Sequence, residues 1–251
     1  MFANKKNNIP KVTVVTINFN NYNDLKKTID SVKDQTHDNF EYLIIDGHSS
    51  DQELALLNSL ESNIKVLIEE DYGIYHAMNK AIDMAKGDWL LFMNSGDIFA
   101  NNDSLKLAIS KSNEDTDVIY SDWIYMNSNK YVNASKKKMK VIHQSIIYRK
   151  SLHKIYGTYV MSENITISDY IFFLSIEQVN WVYTKTALSI CDNQGVSSKV
   201  SHFYQKLSVD YMFKRISKIR FVITLSFYPF YKVLKNLYLF LVKKNNNKDA
   251  S

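Results

Sequence analysis

Cysteine is nearly missing from this chain. Cys191 stands alone, so no internal disulfide is available, which suits a reducing compartment and excludes a disulfide scaffold or a cysteine-paired zinc site. No apolar run reaches the length of an uninterrupted membrane span. The N-terminal stretch up to Pro10 holds no apolar core of secretory type, so a cleaved export signal is not expected. Also lacking are a Gly-x-Gly-x-x-Gly turn, a Walker lysine loop and a His-Glu-x-x-His helix, and no neighbouring motif marks Cys191 as a nucleophile. These gaps remove the best-marked dinucleotide, P-loop and metalloprotease chemistries.

What is present reads as globular. With 45% hydrophobic and 23% charged residues over 251 positions, the chain can bury the core of one large α/β domain and carry an appendage. The net charge of +5 hides an asymmetry: from Lys199 onward eleven Lys/Arg face only Asp210 and Asp249, a balance of +9 that leaves −4 for residues 1–198. The basic part is also aromatic. Phe221, Phe227, Tyr228, Phe230, Tyr231, Tyr238 and Phe240 alternate with aliphatic residues, Lys214 to Arg220 precede them and Lys243 and Lys244 follow. Lysine and arginine heads can stay in a lipid head-group layer while such rings reach inward, so this segment is expected to lie on a membrane rather than span it. A C-terminal helix packed on the domain or on a second subunit is the competing reading, with Pro229 kinking either version. The Asn/Lys-rich end, Lys243 to Lys248, reads as disordered. No nucleic-acid recognition motif accompanies the charge, and no nucleic-acid partner is expected.

Along the chain, strand and helix signals alternate. The β-branched run Val12 to Ile17 reads as a parallel strand covered on both faces. Asn23 or Asp24 is then expected to cap a helix carrying Leu25, Ile29 and Val32, with Gln35-Thr36 breaking it. Phe40 to Ile45 reads as a second buried strand, Asp51 to Leu60 as a helix and Val66 to Ile68 as a third strand. Ala77, Met78, Ala81, Ile82 and Ala85 have helical spacing, and Gly87 is expected to end that helix in a left-handed conformation. Asp88 to Met93 is a further buried strand. Past residue 115 the signals weaken, with strands expected at Val118 to Tyr120, Trp123 to Met126 and Val141 to Tyr148 as a mixed-sheet extension, and a helix at Ile167 to Ile176. The whole predicts a doubly wound, mostly parallel sheet flanked by helices.

In such sheets ligands collect at the carboxyl ends of the strands. Asn18-Phe19-Asn20, Asp46 to Asp51 and Asn94-Ser95-Gly96-Asp97 all stand at such ends. Each group alone is ordinary turn chemistry; three together mark a site.

These segments, with Ser31-Val32, Gln35-Thr36 and the run Asp71-Tyr72-Gly73-Ile74-Tyr75-His76-Ala77-Met78-Asn79-Lys80, resemble the family 2 glycosyltransferases of the GT-A fold, particularly those that build bacterial capsular and lipopolysaccharide glycans. His143-Gln144-Ser145, Asp169-Tyr170 and Gly195-Val196-Ser197 resemble the acceptor half of the same family. The resemblance implies a GT-A-like, Rossmann-related domain over residues 1–198, with a nucleotide-sugar-binding half at 1–100 and an acceptor half at 101–198, followed by a membrane-associating segment at 199–251. It implies that Thr16, Asn18, Phe19, Asp46, Asp71, Asn79, Lys80, Asn94 and Ser95 lie on the donor side, with Phe19 offering a face to the base. His143 and Gln144 would lie on the acceptor or phosphate side.

Asp97 is the expected metal ligand. A hard cation, Mn²⁺ or Mg²⁺, held by carboxylate oxygen would stabilise charge growing on a leaving diphosphate. This chain departs from the usual acidic cluster, keeping one carboxylate after Asn94, Ser95 and Gly96. Asp169 matches the family's acceptor-side acid and is the expected base for an inverting transfer, against the competing reading of an acid that merely suits a helix N-terminus. The implied partners are a UDP-sugar, or else a GDP-sugar, and a glycan acceptor expected to be lipid-linked, the form that matches a membrane-facing tail. The expected location is cytoplasmic, peripheral on the inner face of the cell membrane. Two rival functions remain at this point: a non-catalytic membrane-bound subunit of a glycan assembly complex, and a sugar nucleotidyltransferase, which the missing glycine-rich lysine loop disfavours.

Overall fold

The computed structural model describes residues 11–162, 164–192 and 200–228. The chain divides into two compact units, Met1–Gly195 and Val196–Ser251. The first is built on a nine-stranded sheet.

The first half of that sheet follows from sequence periodicity. Strands β1 (Val12–Asn18), β2 (Phe40–Asp46), β3 (Ile64–Ile68) and β4 (Trp89–Phe92) are mutually parallel in the order β3-β2-β1-β4. Every residue of β1 and β4 is buried, as a strand covered on both faces requires. Helices α1 (Tyr22–Lys33), α2 (Asp51–Asn58) and α3 (Ile74–Met84) form the crossovers. Leu25, Ile29 and Val32 of α1 enter the core with Trp89, Leu91 and Met93, each large apolar side chain contributing roughly 1.5–3 kcal/mol of transfer free energy.

The second half is the mixed-sheet extension expected past residue 115. After the short strand β5 (Ile98–Phe99) and helix α4 (Ser104–Ile109) come β6 (Val118–Tyr125), β7 (Lys130–Val132), β8 (Ile146–Arg149) and β9 (Trp181–Cys191). The order continues β4-β8-β6-β9-β5, with β7 on β6. Four of the eight pairings, β4·β8, β5·β9, β6·β7 and β6·β8, are antiparallel. Only β6·β9 is parallel in this half, and the chain between those two strands makes the long crossover such a pair needs, through β7, β8 and the helices α5 (Leu152–Tyr156) and α6 (Ser168–Ser175).

Several boundaries differ from the sequence reading. Helix α1 starts at Tyr22 with Asn21 in the capping position, not at Asn23 or Asp24. The expected strands at 118–120 and 123–126 are one strand with register shifts around Asp122. Within 141–148 a 3₁₀ turn, His143–Ser145, precedes β8. Gln35 does more than break α1: its Nε2 donates to the Asn101 carbonyl at 2.9 Å and its Oε1 accepts from Leu105 N–H at 3.0 Å, fastening the start of α4. Gly87 is not left-handed. A Cβ there would lie 2.6 Å from Thr13 N and 2.8 Å from the Lys11 carbonyl, so close backbone approach is what requires glycine.

In the second unit, α7 (Val200–Met212) is followed by a helix from residue 218 to the end of the described part at 228. Tyr211 stacks on Phe221, and Met212, Ile219, Ile223 and Phe227 are exposed. No helix among the described residues is long and apolar enough to cross a membrane. The Gly195-Val196-Ser197 motif, Pro229 and the 230–251 part of the basic segment lie outside the described residues.

Candidate functional site

The carboxyl ends of β1, β2 and β3 meet around Gly47. A Cβ on Gly47 would lie 3.0 Å from the Phe19 ring and 3.5 Å from Asp71 Oδ2, so the two side chains flank one point. Phe19 is 66% exposed, an aromatic face open to solvent after a fully buried strand. Asp71 turns back: it pairs with Lys80 Nζ at 3.0 Å and His76 Nδ1 at 3.3 Å. Lys80 is further held by Glu69 at 2.9 Å and the Glu70 carbonyl at 2.8 Å. Burial opposes its charge, yet the bonds to Glu69 and Asp71 keep its pKa above the ordinary lysine value.

Beneath this rim lies a buried polar network. Asn18 Nδ2 donates to Asp46 Oδ2 at 2.7 Å, Ser49 gives Asp46 both its backbone N–H and its hydroxyl at 2.8 Å, and Ser95 Oγ donates to Asn18 Oδ1 at 2.6 Å. Asp46 is fully enclosed and Asn18 nearly so. In this structure the two therefore tie the strand ends together. Thr16 is also fully buried, its hydroxyl engaged with Tyr42 Oη and the Met93 carbonyl, both at 2.9 Å. It has no surface to offer a donor. Asn79 likewise spends its amide elsewhere, donating to the Tyr159 carbonyl at 2.9 Å and accepting from Tyr159 N–H at 3.0 Å.

The second cluster forms where α3, the β4 end, the 3₁₀ turn and α6 converge. Asn94 Nδ2 lies 3.0 Å from His143 Nε2, His143 Nδ1 lies 3.0 Å from Asp169 Oδ2, and Tyr75 Oη donates to Asp169 Oδ1 at 2.8 Å. Burial disfavours both charges of the His143–Asp169 pair, but their mutual hydrogen bond and charge attraction, with the Tyr75 bond to Asp169, together outweigh it. The Asp169 carboxyl is held below its ordinary pKa and the His143 imidazole above its own. An Asp169 side chain that is 20% exposed keeps lone pairs that an incoming hydroxyl can reach.

Asp97 is buried, and that burial pushes its carboxyl up to about 6 against the pull of His143 and a hydrogen bond from Gln144. Among the described residues no group of three or more His, Cys, Asp or Glu side chains is arranged to hold a metal ion. Nearby, Asn94 Oδ1 is buried without a hydrogen-bond partner. One carboxylate and one uncommitted amide oxygen fit a hard cation whose remaining ligands come from phosphate and water.

The structure thus brings Asn94, His143 and Asp169 into one bonded chain, sets Asp97 and Gln144 together, and places Phe19 beside Asp71. Thr16 and Asn79 stand apart, committed to the interior. Tyr75, Ser49 and Tyr159 complete the arrangement and were not read as site residues. The signal for Tyr75 was its place in the quoted 71–80 run, but helical spacing gives no hint that its hydroxyl reaches a residue 94 positions away.

Residues 13–176 match the sequence profile described as Glycosyl transferase family 2. A PGL/p-HBAD biosynthesis glycosyltransferase of Mycobacterium tuberculosis (strain ATCC 25177 / H37Ra) is 33% identical over 147 residues, which is 54% of this chain and 57% of that protein. The match thus spans little more than half the length of that relative. Staphylococcus aureus TarS, solved as residues 1–349 with UDP-GlcNAc, superposes with a TM-score of 0.67 at 19% identity, covering 81% of this chain and 65% of that 1–349 fragment. The mannosyltransferase PcManGT from Pyrobaculum calidifontis, solved with GDP-Man and Mn²⁺, gives 0.64 at 13% identity, covering 83% and 65%. At these identities the structural likeness establishes a shared fold.

Proposed function

The chain belongs to glycosyl transferase family 2, and on that premise we propose that it moves one sugar from a nucleoside-diphosphate sugar to a hydroxyl of a growing, lipid-linked surface glycan, inverting the anomeric centre. The observation that carries this reading is the Asn94–His143–Asp169–Tyr75 chain, a charged carboxylate held by neighbours on both oxygens next to the strand ends. Asp169 takes the proton of the acceptor hydroxyl as that oxygen attacks the anomeric carbon from the face opposite the leaving diphosphate. His143 and Tyr75 fix the carboxylate's direction and keep it ionised. The Phe19 ring receives the base, with Asp71 across Gly47 from it.

Asp97 and Asn94 Oδ1 would hold a divalent cation, whose charge offsets that of the leaving diphosphate. The nucleotide-sugars named with the structural neighbours, UDP-GlcNAc and GDP-Man, support a donor of this class, UDP-sugar first. The basic, aromatic second unit would hold the protein at the cytoplasmic face of the membrane.

A thermal-shift screen of UDP-, GDP-, CMP- and dTDP-sugars, with and without Mn²⁺, tests the reading. The true donor raises the melting temperature by linkage, and Asp97→Ala removes the metal-dependent part of the rise. No shift with any nucleotide, in a protein that also transfers no sugar, would sink the proposal.

A further inference from the structure

Helix α1 turns a polar seam toward the segment that follows β4. Thr28 and Ser31 share one face of the helix, and Gln35 continues that face just past its end. All three engage main chain rather than other side chains. Ser31 Oγ accepts from Phe99 N–H at 2.8 Å, and Gln35 holds Asn101 and Leu105. Thr28 is fully buried, and its Oγ1 accepts from Gly96 N–H at 3.0 Å while donating to the Asp97 carbonyl at 2.8 Å. A threonine in a helix ordinarily bonds the carbonyl one turn back. Here that carbonyl, of Asp24, is the longer contact at 3.1 Å.

The segment that Thr28 grips is a tight turn. Asp97 N–H donates to the Asn94 carbonyl at 2.9 Å, and Gly96 sits at a φ of 99°, where glycine is favoured. Strand β1 fixes the entry of the turn, because Ser95 N–H donates to the Ile17 carbonyl at 3.1 Å. Thr28 fixes its exit at Gly96 and Asp97. The two ends of this turn carry the uncommitted Asn94 Oδ1 and the Asp97 carboxylate.

We propose that Thr28 is a positioning residue for the divalent cation, its hydroxyl holding the Gly96–Asp97 main chain so that the Asp97 carboxylate and Asn94 Oδ1 can reach one ion. The proposal rests on the reading of Asp97 and Asn94 as the cation's protein ligands. An acidic cluster could draw a cation by charge and tolerate a loose loop. A site with one carboxylate and one amide oxygen depends instead on arrangement, since hard cations of the Mg²⁺ type demand near-ideal geometry and ligating groups must be held to within about 0.5 Å. Because α1 begins just after Phe19, one helix then sets the turn that receives the cation relative to the ring that receives the base.

The test compares two variants of the full chain. Thr28→Val keeps the branched shape and removes the hydroxyl. Gln35→Met is the control, losing two main-chain bonds further along the seam and none to the Asn94–Asp97 turn. Both should lower the melting temperature by several degrees. Mn²⁺ uptake is titrated by electron paramagnetic resonance with UDP or GDP present, and nucleotide affinity is measured calorimetrically in EDTA. Thr28→Val should bind Mn²⁺ about tenfold more weakly, with Thr28→Ser and Gln35→Met within about twofold of the wild type. Nucleotide affinity in EDTA should stay within about twofold throughout. Thr28→Ala gives the same comparison should the valine variant not fold. Unchanged Mn²⁺ affinity in Thr28→Val alongside a lowered melting temperature would make Thr28 a residue of the fold alone and overturn the proposal, as would an equal loss in Gln35→Met or in Thr28→Ser. Wild-type uptake that Asp97→Ala abolishes and Thr28→Val leaves intact overturns this proposal and spares the metal reading, whereas a wild type that takes up no Mn²⁺ with either nucleotide overturns both.

Discussion

Tyr75, in the first turn of α3, donates its hydroxyl hydrogen to Asp169, in the first turn of α6, at 2.8 Å across 94 positions of sequence. The bond joins the half of the fold that gathers the strand ends to the half that carries the acid. Since the phenol is itself buried and its pKa is raised by that burial and by Asp169, it stays protonated and acts as a fixed donor. Tyr75→Phe removes the donor while keeping the ring that packs on Tyr159. Turnover is expected to fall about 10- to 100-fold with the donor KM nearly constant, the cost of one charge-assisted hydrogen bond to a reacting group. In a double-mutant cycle with Asp169→Asn the two losses should not add; additive losses would mean that Tyr75 acts elsewhere.

Asp169→Asn tests the base directly. Asparagine keeps the size and suits a helix N-terminus about as well as aspartate, so donor binding should change little, while loss of the charge that His143 and Tyr75 hold should lower the melting temperature. Turnover should fall by roughly two to four orders of magnitude. Steady-state transfer at saturating donor decides the matter, and a near-normal rate in this variant removes Asp169 from the mechanism.

How far the sequence alone reached depends on the kind of signal. Strands β1, β2 and β4 were legible because a doubly covered strand is a continuous apolar run, and α1 and α3 because Leu25, Ile29, Val32 and Ala77, Met78, Ala81 repeat at helical spacing. The strand β9 was not read. Its Thr184-Lys185-Thr186 stretch is polar, and Lys185 adopts a positive φ at the register shift opposite β6, so neither apolar alternation nor a continuous run survives. At the site, residue types at strand ends were visible and directions were not. Asn79 and Asn94 are the same residue in quoted motifs, yet one turns inward to the Tyr159 backbone and the other reaches His143. The contact of His143 with Asp169 spans 26 positions with no periodic relation.

That inward turn of Asn79 makes a prediction that separates scaffold from donor site. Asn79→Ala leaves the Tyr159 N–H and carbonyl without their partners in a buried setting, each loss costing about 1–3 kcal/mol. The melting temperature should drop by several degrees or more. Nucleotide affinity, measured calorimetrically below the transition, should stay within about twofold of the wild type. A large loss of affinity with an unchanged melting curve would return Asn79 to the donor side.

Acid sensitivity should arise in part far from the site, at Glu41. Burial alone would raise this carboxyl, but Lys65 Nζ, the Lys86 backbone N–H at 2.7 Å and Thr13 Oγ1 at 2.8 Å all donate to it and draw it from the ordinary 4.5 down to about 2. A carboxyl whose folded pKa lies below its unfolded one contributes stability that is full above about pH 4.5 and is lost as pH falls toward 2. The shift corresponds to about 3 kcal/mol at neutral pH as an upper figure, reduced by solvent screening of the exposed Lys65 partner. Glu41→Gln keeps the shape and loses the charge, so it should melt well below the wild type at pH 7. As pH is lowered to about 3 the wild type gives up roughly half or more of this contribution, and the two melting curves should approach each other. A gap that stays constant from pH 7 to about 3 would show that Glu41 contributes through packing rather than through its charge.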